Sequence, residues 1–564
     1  AQGKQGGYSV KSFDSLRRDF LRAGGLGAAG AALPAIAFGA KAKKAAAQPT
    51  VFDVHQYGAV GDGKTVDTPA INRGIAAVAA AGGGTLYFPA GTYVCFTIHL
   101  ASHVDLYLSQ GCTILAADSP KQGETTGYRG GTYDAAEPNT PWEPYQDFGH
   151  NHWHNSLFVG ENISDFSIQG PGLIHGAGLS HGSRGTRGNY PTFIAEQAGV
   201  GNKSIALKNC RNVLLRDFSV LKGGHFALLA TGVDNMTLDN VRVDTDRDGF
   251  DIDCCRNVRV SNCTVNSPWD DGICPKSSYA LGYQRSTDNI TISNNYVTGT
   301  YMLGTVIDGT WKKFPDVAPG VARNGRIKCG TESNGGFRNI TITGNVLEGC
   351  KGISLESSDG AYLEDISITG NTLRDIGDAP LFLRLNARNR GPKDTMRPGT
   401  LRRVLISDLD SYNSAAVTAS LLSGIPSNLI EDVKLSNCYF GHQGMPTQIG
   451  GRGGPRPMPD WKTINVPEME AGYPELLSFG PTPSGGFFIR HLKNLEMSHV
   501  EIAPSAEDPR PSLWLEDVQR ADFFAITAPN PGSAFALHNV KDMRVGWSRA
   551  AADATIDTVD DKMI

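Results

Sequence analysis

Charge of one sign is missing from this chain: 52 Lys and Arg stand against 57 Asp and Glu in 564 residues, for a formal net charge of -5. That balance excludes the basic face of a nucleic-acid binder and the charge block of a disordered tail. Long apolar runs are scarce as well. The best of them, Ala23 to Ala40, is Gly-rich and contains Pro34, which makes a poor membrane anchor, and no other segment is long enough to span a bilayer. Paired C-x-x-C spacings are absent, so the ten cysteines carry no zinc pattern, and the adjacent Cys254 and Cys255 cannot readily bridge each other. Buried thiols are the expectation.

The N-terminus reads as a targeting segment. Arg17-Arg18 precedes the weakly apolar stretch, followed by Lys41, Lys43, Lys44 and the small run Ala45-Ala46-Ala47. This resembles a twin-arginine export signal, residues 1–47, with basic residues after the apolar run. The mature chain, residues 48–564, is then expected in the periplasm or outside the cell, free of the membrane. Twin-arginine substrates fold before export in a reducing cytoplasm, which again favours thiols over disulfides.

One short pattern keeps returning: a charged residue, then Asn or Asp, then alternating apolar positions. It stands at Arg211, Asp234, Arg256, Asp288, Arg338 and Glu364, with weaker copies at Arg402, Glu431, Lys493 and Lys541. The tightest spacings are about 22 to 26 residues, one coil of a parallel β-solenoid, and the alternation has period two. An all-β, right-handed parallel β-helix follows, one long domain over 48–564 despite its length, because repeat folds grow by adding coils to one core. A helix-like stretch from Thr68 to Ala80 suits a cap over the exposed end of the solenoid.

The coil after each repeat aligns on glycine as Asp248-Gly249, Asp271-Gly272, Leu303-Gly304 and Lys351-Gly352. The fourth residue after glycine should face outward, and it reads Asp253, Lys276, Asp308 and Glu356. With strands about 4.8 Å apart, these form a charged ladder along one wall. Asp308 and Glu356 are equally consistent with substrate contact and with solvated surface.

The position before glycine is more pointed. Asp248 and Asp271 fall one coil apart with Asp270 beside them, and like carboxylates so close repel when both are ionised. A raised pKa beside an ionised neighbour is the condition for a general acid paired with a base. An inverting glycosidase separates such carboxyls by about 6.5 to 9.5 Å. A calcium ion shared between coils is the rival use of the cluster.

Here a resemblance becomes specific. Asp248-Gly249-Phe250-Asp251-Ile252 resembles the Asn-Thr-Asp-Gly-Phe/Ile-Asp-Ile block of glycoside hydrolase family 28, the polygalacturonase family. Asp270-Asp271-Gly272-Ile273 with Lys276 resembles its Gly-Asp-Asp block, and Arg326-Ile327-Lys328 its Arg-Ile-Lys block. The residues near Tyr57 and Gly82 to Tyr93 resemble the entry to the pectin-degrading β-helix superfamily. The resemblance implies Asp270 as general acid, Asp248 and Asp271 as activators of water, and Arg326 and Lys328 as ligands of a substrate carboxylate. Two departures stand out. The interval from Asp271 to Arg326 contains no histidine for the family's Gly-His-Gly block, and Trp269 replaces the glycine before the paired aspartates. An indole there offers a sugar-stacking face, desolvates the acid, or packs under a loop.

Insertions shape the cleft. Thr125 to Asn155 concentrates Tyr128, Tyr133, Trp142, Tyr145, His150, His152, Trp153 and His154, read as sugar subsites, as a metal site using Asp147, or as a loop packed on the solenoid. A second segment, Gly444 to Gly486, offers Arg452 and Arg456. Loops closing the ends of the groove favour attack at a chain terminus. The expected activity is hydrolysis of an acidic, pectic polysaccharide (galacturonan or rhamnogalacturonan) by inversion, with no cofactor and no metal. The rivals are a polysaccharide lyase on the same scaffold and a non-catalytic carbohydrate-binding solenoid.

Overall fold

The computed structural model describes residues 50–564 apart from 122, 148, 181–196, 315–322 and 451–453. The expected export signal, residues 1–47, lies outside the described residues. Within them the repeat pattern becomes three stacks of parallel strands, each strand pairing with its counterpart one coil on. In the stack built by the repeats, Arg211, Asp234, Arg256, Asp288, Arg338, Glu364, Arg402, Glu431 and Lys493 occupy one column. Opposite charges alternate along it, so each coil meets an attractive neighbour above and below.

The Asn that follows the charge has its own cause. Asn212, Asn235, Asn257, Asn289 and Asn339 all adopt positive φ, between 55° and 61°, where the chain turns into the strand. Asparagine tolerates this left-handed conformation better than most residues. Their amides also form a ladder, Asn235 to Asn212, Asn257 to Asn235, Asn289 to Asn257 and Asn339 to Asn289, at 3.0–3.1 Å. The alternating apolar positions fill the interior: Val213, Met236, Val258, Ile290, Ile340 and Ile366 stack in one buried row. All ten cysteines are buried and unbridged.

Helix α1, Thr68–Ala80, starts with Pro69 in its first turn and buries Ile71, Ile75 and Val78 against the first coils. Asp67, just ahead of it, accepts from the backbone N–H groups of Val60 and Gly61 at 2.7 and 3.1 Å, which folds the preceding glycine-rich loop under the helix.

The stack that carries the acidic positions consists of β1 (Lys203–Lys208), β2 (Phe226–Thr231), β3 (Asp248–Asp253), β4 (Ile273–Lys276), β5 (Ile327–Cys329) and β6 (Ile353–Ser357). One expected coil is corrected. The run around Leu303 to Asp308 does not join this stack: Tyr301–Leu303 pairs antiparallel with Lys312–Lys313 in a separate hairpin, and β5 pairs directly with β4. The fourth-position ladder therefore reads Asp253, Lys276, Gly330 and Glu356, with glycine in place of Asp308. A Cβ on Gly330 would stand 2.4 Å from the Glu356 carbonyl oxygen, so no side chain fits there. Asp308 is exposed and bonds Thr310 within the hairpin turn, away from the wall to which the glycine alignment assigned it.

Candidate active site

Strands β3 and β4 run in register, Phe250 beside Ile273 and Asp253 beside Lys276, which places Asp248 one coil from Asp271. Gly249 makes this closeness possible, because a Cβ there would come within 2.3 Å of the Gly272 carbonyl oxygen. Asp248, Asp270 and Asp271 converge, with one oxygen from each lying within 4.8 Å of the others. That is closer than the about 6.5–9.5 Å separation expected of an inverting pair. The same closeness would admit a divalent cation, but protein cations already hold two of the three carboxylates.

Asp271 is buried and doubly paired: its Oδ1 accepts from Arg326 Nε at 2.7 Å, and its Oδ2 meets Lys328 Nζ at 2.5 Å. Burial alone would raise its pKa, but Lys328 and Arg326 outweigh burial and hold the carboxyl far below the usual range. Asp270 is partly open and meets Arg247 Nη2 at 2.8 Å. The same Arg247 nitrogen lies 3.2 Å from His225 Nε2. Burial pushes the His225 ring well below its ordinary pKa, so it takes the accepting role.

Asp248 differs. Among the described residues no Lys, Arg or His nitrogen lies within salt-bridge distance of it, although it is only 3% exposed. Burial, with the charges of Asp270 and Asp251 beside it, pushes its carboxyl well above the usual range, against Lys276 and Arg247. Asp251, one step along β3, is fully buried, and neither of its oxygens has a hydrogen bond. Burial raises it to about 7, while Lys276 Nζ at 3.7 Å and His150 Nε2 at 3.8 Å pull it down.

A cavity of about 150 Å³ opens over this floor, and Asp248, Asp270, Lys276, Lys328, His150 and Tyr473 are among its walls. Two distant segments supply the last two. His150 comes from the Thr125 to Asn155 insertion, where its Nδ1 meets Glu332 at 2.5 Å and its ring packs edge-on against Phe226. Tyr473 comes from the second insertion, which buried arginines hold in place. Arg384 donates to the carbonyls of Glu468 and Met469, and Arg490 to those of Val466 and Pro467.

Arg326 and Lys328 were expected to wait for a substrate carboxylate, yet they are 2% and 3% exposed and serve Asp271. Arg326 also meets Glu475 at 3.2 Å and Glu356 at 3.8 Å. Glu356 is thus a buried partner of Arg326 rather than an open substrate ligand. Lys276 is the less committed cation, with Asp251 at 3.7 Å as its ion-pair contact and its side chain on the cavity. Trp269 carries the Arg323 guanidinium over its ring at 4.5 Å and meets Phe314 edge-on, so it packs under a neighbouring segment.

The aromatic insertion is also packed rather than open: Trp153 is buried and donates to Thr231, and Trp142 donates to the Ala280 carbonyl. Its histidines do not converge on one point. His152 turns to Glu143 and His154 to Glu161, while His150 takes Glu332. Arg456 lies exposed in a small hairpin with Gln448–Ile449, and Arg452 lies outside the described residues. Sequence reasoning passed over Arg247, although it directly precedes Asp248 where the family block has Thr. Glu475 stands 149 residues from its partner Arg326, and no spacing signal reaches so far.

The fold defines the class first: this is a parallel β-helix protein. It resembles the solved Yersinia enterocolitica family 28 exopolygalacturonase with a TM-score of 0.57 over 84% of this chain and 78% of that one, at 16% identity. Residues 143–318 match glycosyl hydrolases family 28, and residues 51–113 match the rhamnogalacturonase A/epimerase, pectate lyase-like family. A probable polygalacturonase of Vitis vinifera is 23% identical over 68% of this chain and 72% of its own length. Plasmin and fibronectin-binding protein A of Streptococcus pneumoniae is 28% identical over 44% of this chain and 31% of its own length. The chain is thus similar to glycoside hydrolase family 28 over its residues 143–318, and to a polygalacturonase relative over two thirds of its length.

Proposed function

We propose that this protein hydrolyses glycosidic bonds in an acidic pectic glycan, galacturonan or rhamnogalacturonan, by acid–base catalysis with inversion, acting from a chain end. The observation that carries the reading is the convergence of Asp248, Asp270 and Asp271, two of them paired with cations and one, among the described residues, with none at salt-bridge distance. Hydrolysis needs one carboxylic acid and one carboxylate together, and the upward push on Asp248 beside the cation-held Asp271 supports that reading.

The cations also bear on stereochemistry. A covalent ester on Asp271 would take from buried Lys328 the carboxylate 2.5 Å away and from Arg326 one of its anions, and one on Asp270 would remove the carboxylate 2.8 Å from Arg247. Direct attack by water avoids that cost, which favours inversion despite the short oxygen separations. Lys276, facing the cavity, is the group best placed to receive a uronate carboxylate. The cavity is smaller than the roughly 300–1,000 Å³ of ordinary ligand sites, and His150 and Tyr473 reach it from two separate insertions, which suits a terminal sugar better than a passing chain.

Product analysis on pectic fractions tests the reading. Solvent oxygen at the new reducing end, released with inverted anomeric configuration, is the expected result. An unsaturated, ultraviolet-absorbing uronate would overturn hydrolysis in favour of elimination, and retained configuration would overturn the stereochemical part.

A further inference from the structure

We propose that the last coils of the solenoid carry a second carbohydrate site, a stacking surface for a neutral glycan, on a different corner of the coil from the acidic floor. It goes beyond the hydrolase reading and does not depend on it. The strands that carry the repeats each end in one turn residue, and their register puts Gly370, Asp408, Asn437, His499, Ala525 and Trp547 in a single column. All six have positive φ, between 51° and 63°. Glycine, aspartate and asparagine tolerate that backbone, whereas a bulky side chain is an outlier in it. Trp547 is also 81% exposed, so neither the turn nor the core accounts for an indole at this corner. Its backbone N–H donates to Asp553 Oδ1 at 2.8 Å, which fixes the turn without help from the ring.

The indole does not stand alone. Phe524, on the neighbouring coil and 44% exposed, stacks on it with ring centroids 6.1 Å apart and planes 23° from parallel. His499, one coil further back, meets Phe524 at 5.6 Å. Phe524 lines a groove of about 490 Å³ and His499 one of about 400 Å³, both within the roughly 300–1,000 Å³ of small-ligand sites.

Area and charge select the occupant. At 81% and 44% exposure, and with about 200–250 Å² to a large aromatic residue, the two rings together offer about 300 Å². Each partner in a stable protein–protein interface buries about 800 Å², so the patch is too small to hold a second copy of this chain. It matches the apolar C–H face of a sugar ring laid on an indole. The grooves are lined by Asp408, Asp410, Glu501, Asp522 and Asp553 against Arg544. That acidic excess repels a polyanion such as galacturonan and offers strong acceptors to the hydroxyls of an uncharged sugar.

Isothermal titration of the full chain with β-1,4-galactan and arabinan oligosaccharides tests the site, with polygalacturonate as the charged control. Wild type is expected to bind a neutral oligosaccharide. Trp547→Asn gives this corner the residue that Asn437 supplies three coils earlier, so it should fold as wild type does and bind at least about tenfold more weakly. Trp547→Tyr keeps an aromatic face and should stay within about threefold of wild type, while Phe524→Ala should weaken binding by about threefold or more. Turnover of the acidic polymer should be the same in all of them, because neither residue lines the catalytic cavity. The proposal is overturned by absence of neutral-glycan binding in the wild type, or by equal affinity in Trp547→Asn. It is equally overturned by polygalacturonate binding that Trp547→Asn abolishes, or by a wild-type dimer in sedimentation that the same variant dissociates. Failure of the wild type to hydrolyse any pectic fraction, with neutral-glycan binding intact, would sink the hydrolase reading alone.

Discussion

Replacing Asp271 by Asn should unfold the protein at markedly lower denaturant, whereas replacing Asp248 by Asn should not, although both lower turnover at least about a hundredfold. From sequence, easing repulsion among three carboxylates predicts little loss of stability in either variant. The contacts divide them. Asp271 is the shared anion of two cations that are 2% and 3% exposed, and its removal takes from Lys328 its ion pair and leaves Arg326 with Glu475 and Glu356. Breaking a buried pair in this way costs about 3–5 kcal/mol, and the amide oxygen of Asn still accepts one hydrogen bond, so the lower end applies. The pH dependence follows from the direction of the shift. Asp271 titrates far below its unfolded value, so its contribution is present above about pH 4 and is lost as pH falls below that. Asp248 is raised, so its contribution is present below about pH 4 and is lost as pH rises. Asp248→Asn should accordingly be at least as stable as wild type at pH 7. Urea unfolding followed by circular dichroism at pH 7 and again near pH 3.5 checks both signs. A wild-type midpoint for Asp271→Asn at pH 7, or an equal loss in both variants, would refute the charge placement.

Other outcomes follow from the same contacts. Glu475 is pushed down to about 2, with Arg326 and Lys351 outweighing burial, so Glu475→Gln should lose on the order of 2 kcal/mol at pH 7 and less as pH falls through 4.5 toward 2. An equal loss at pH 7 and pH 3 would count against it. Asp308→Asn, in an exposed hairpin, should leave turnover and stability unchanged in steady-state and unfolding assays. Lys276→Ala should weaken binding of an acidic oligosaccharide far more than that of its carboxyl-reduced analogue, and equal losses would point to a structural role. Replacing Arg17 and Arg18 with Lys should leave folded protein in the cytoplasm, read by fractionation, and normal export would exclude the twin-arginine route.

Much of the solenoid was legible because equal positions stack. The charge before each Asn marks a column of alternating sign, and the Asn marks a left-handed turn, so both residues report local physics that survives in a single sequence. The capping helix was legible at Thr68–Ala80 for the same local reason. The coil assigned to Leu303–Asp308 failed because glycine spacing alone cannot say which backbone accepts a strand's hydrogen bonds. The chain leaves the solenoid after Thr298 and returns at Ile327, and only the parallel pairing of β4 with β5 reveals the return.

The site shows the deeper limit. Alternation correctly put Arg326 and Lys328 on one face with Ile327 inward, but a face does not name a partner. In a stacked coil each outward charge meets whatever the neighbouring coil or an overlying loop supplies, and here that is Asp271 from the previous coil and Glu475 from a loop far along the chain. Asp248 and Asp271, which look alike in a motif, are therefore pushed in opposite directions, one up by burial and neighbouring carboxylates and the other down by Lys328 and Arg326. Arg247 is the sharpest instance: it stands 2.8 Å from Asp270, while among the described residues no cation comes within salt-bridge distance of Asp248. Catalytic roles in such a cluster follow the placement of the cations, and a motif that records only the acids leaves those roles open.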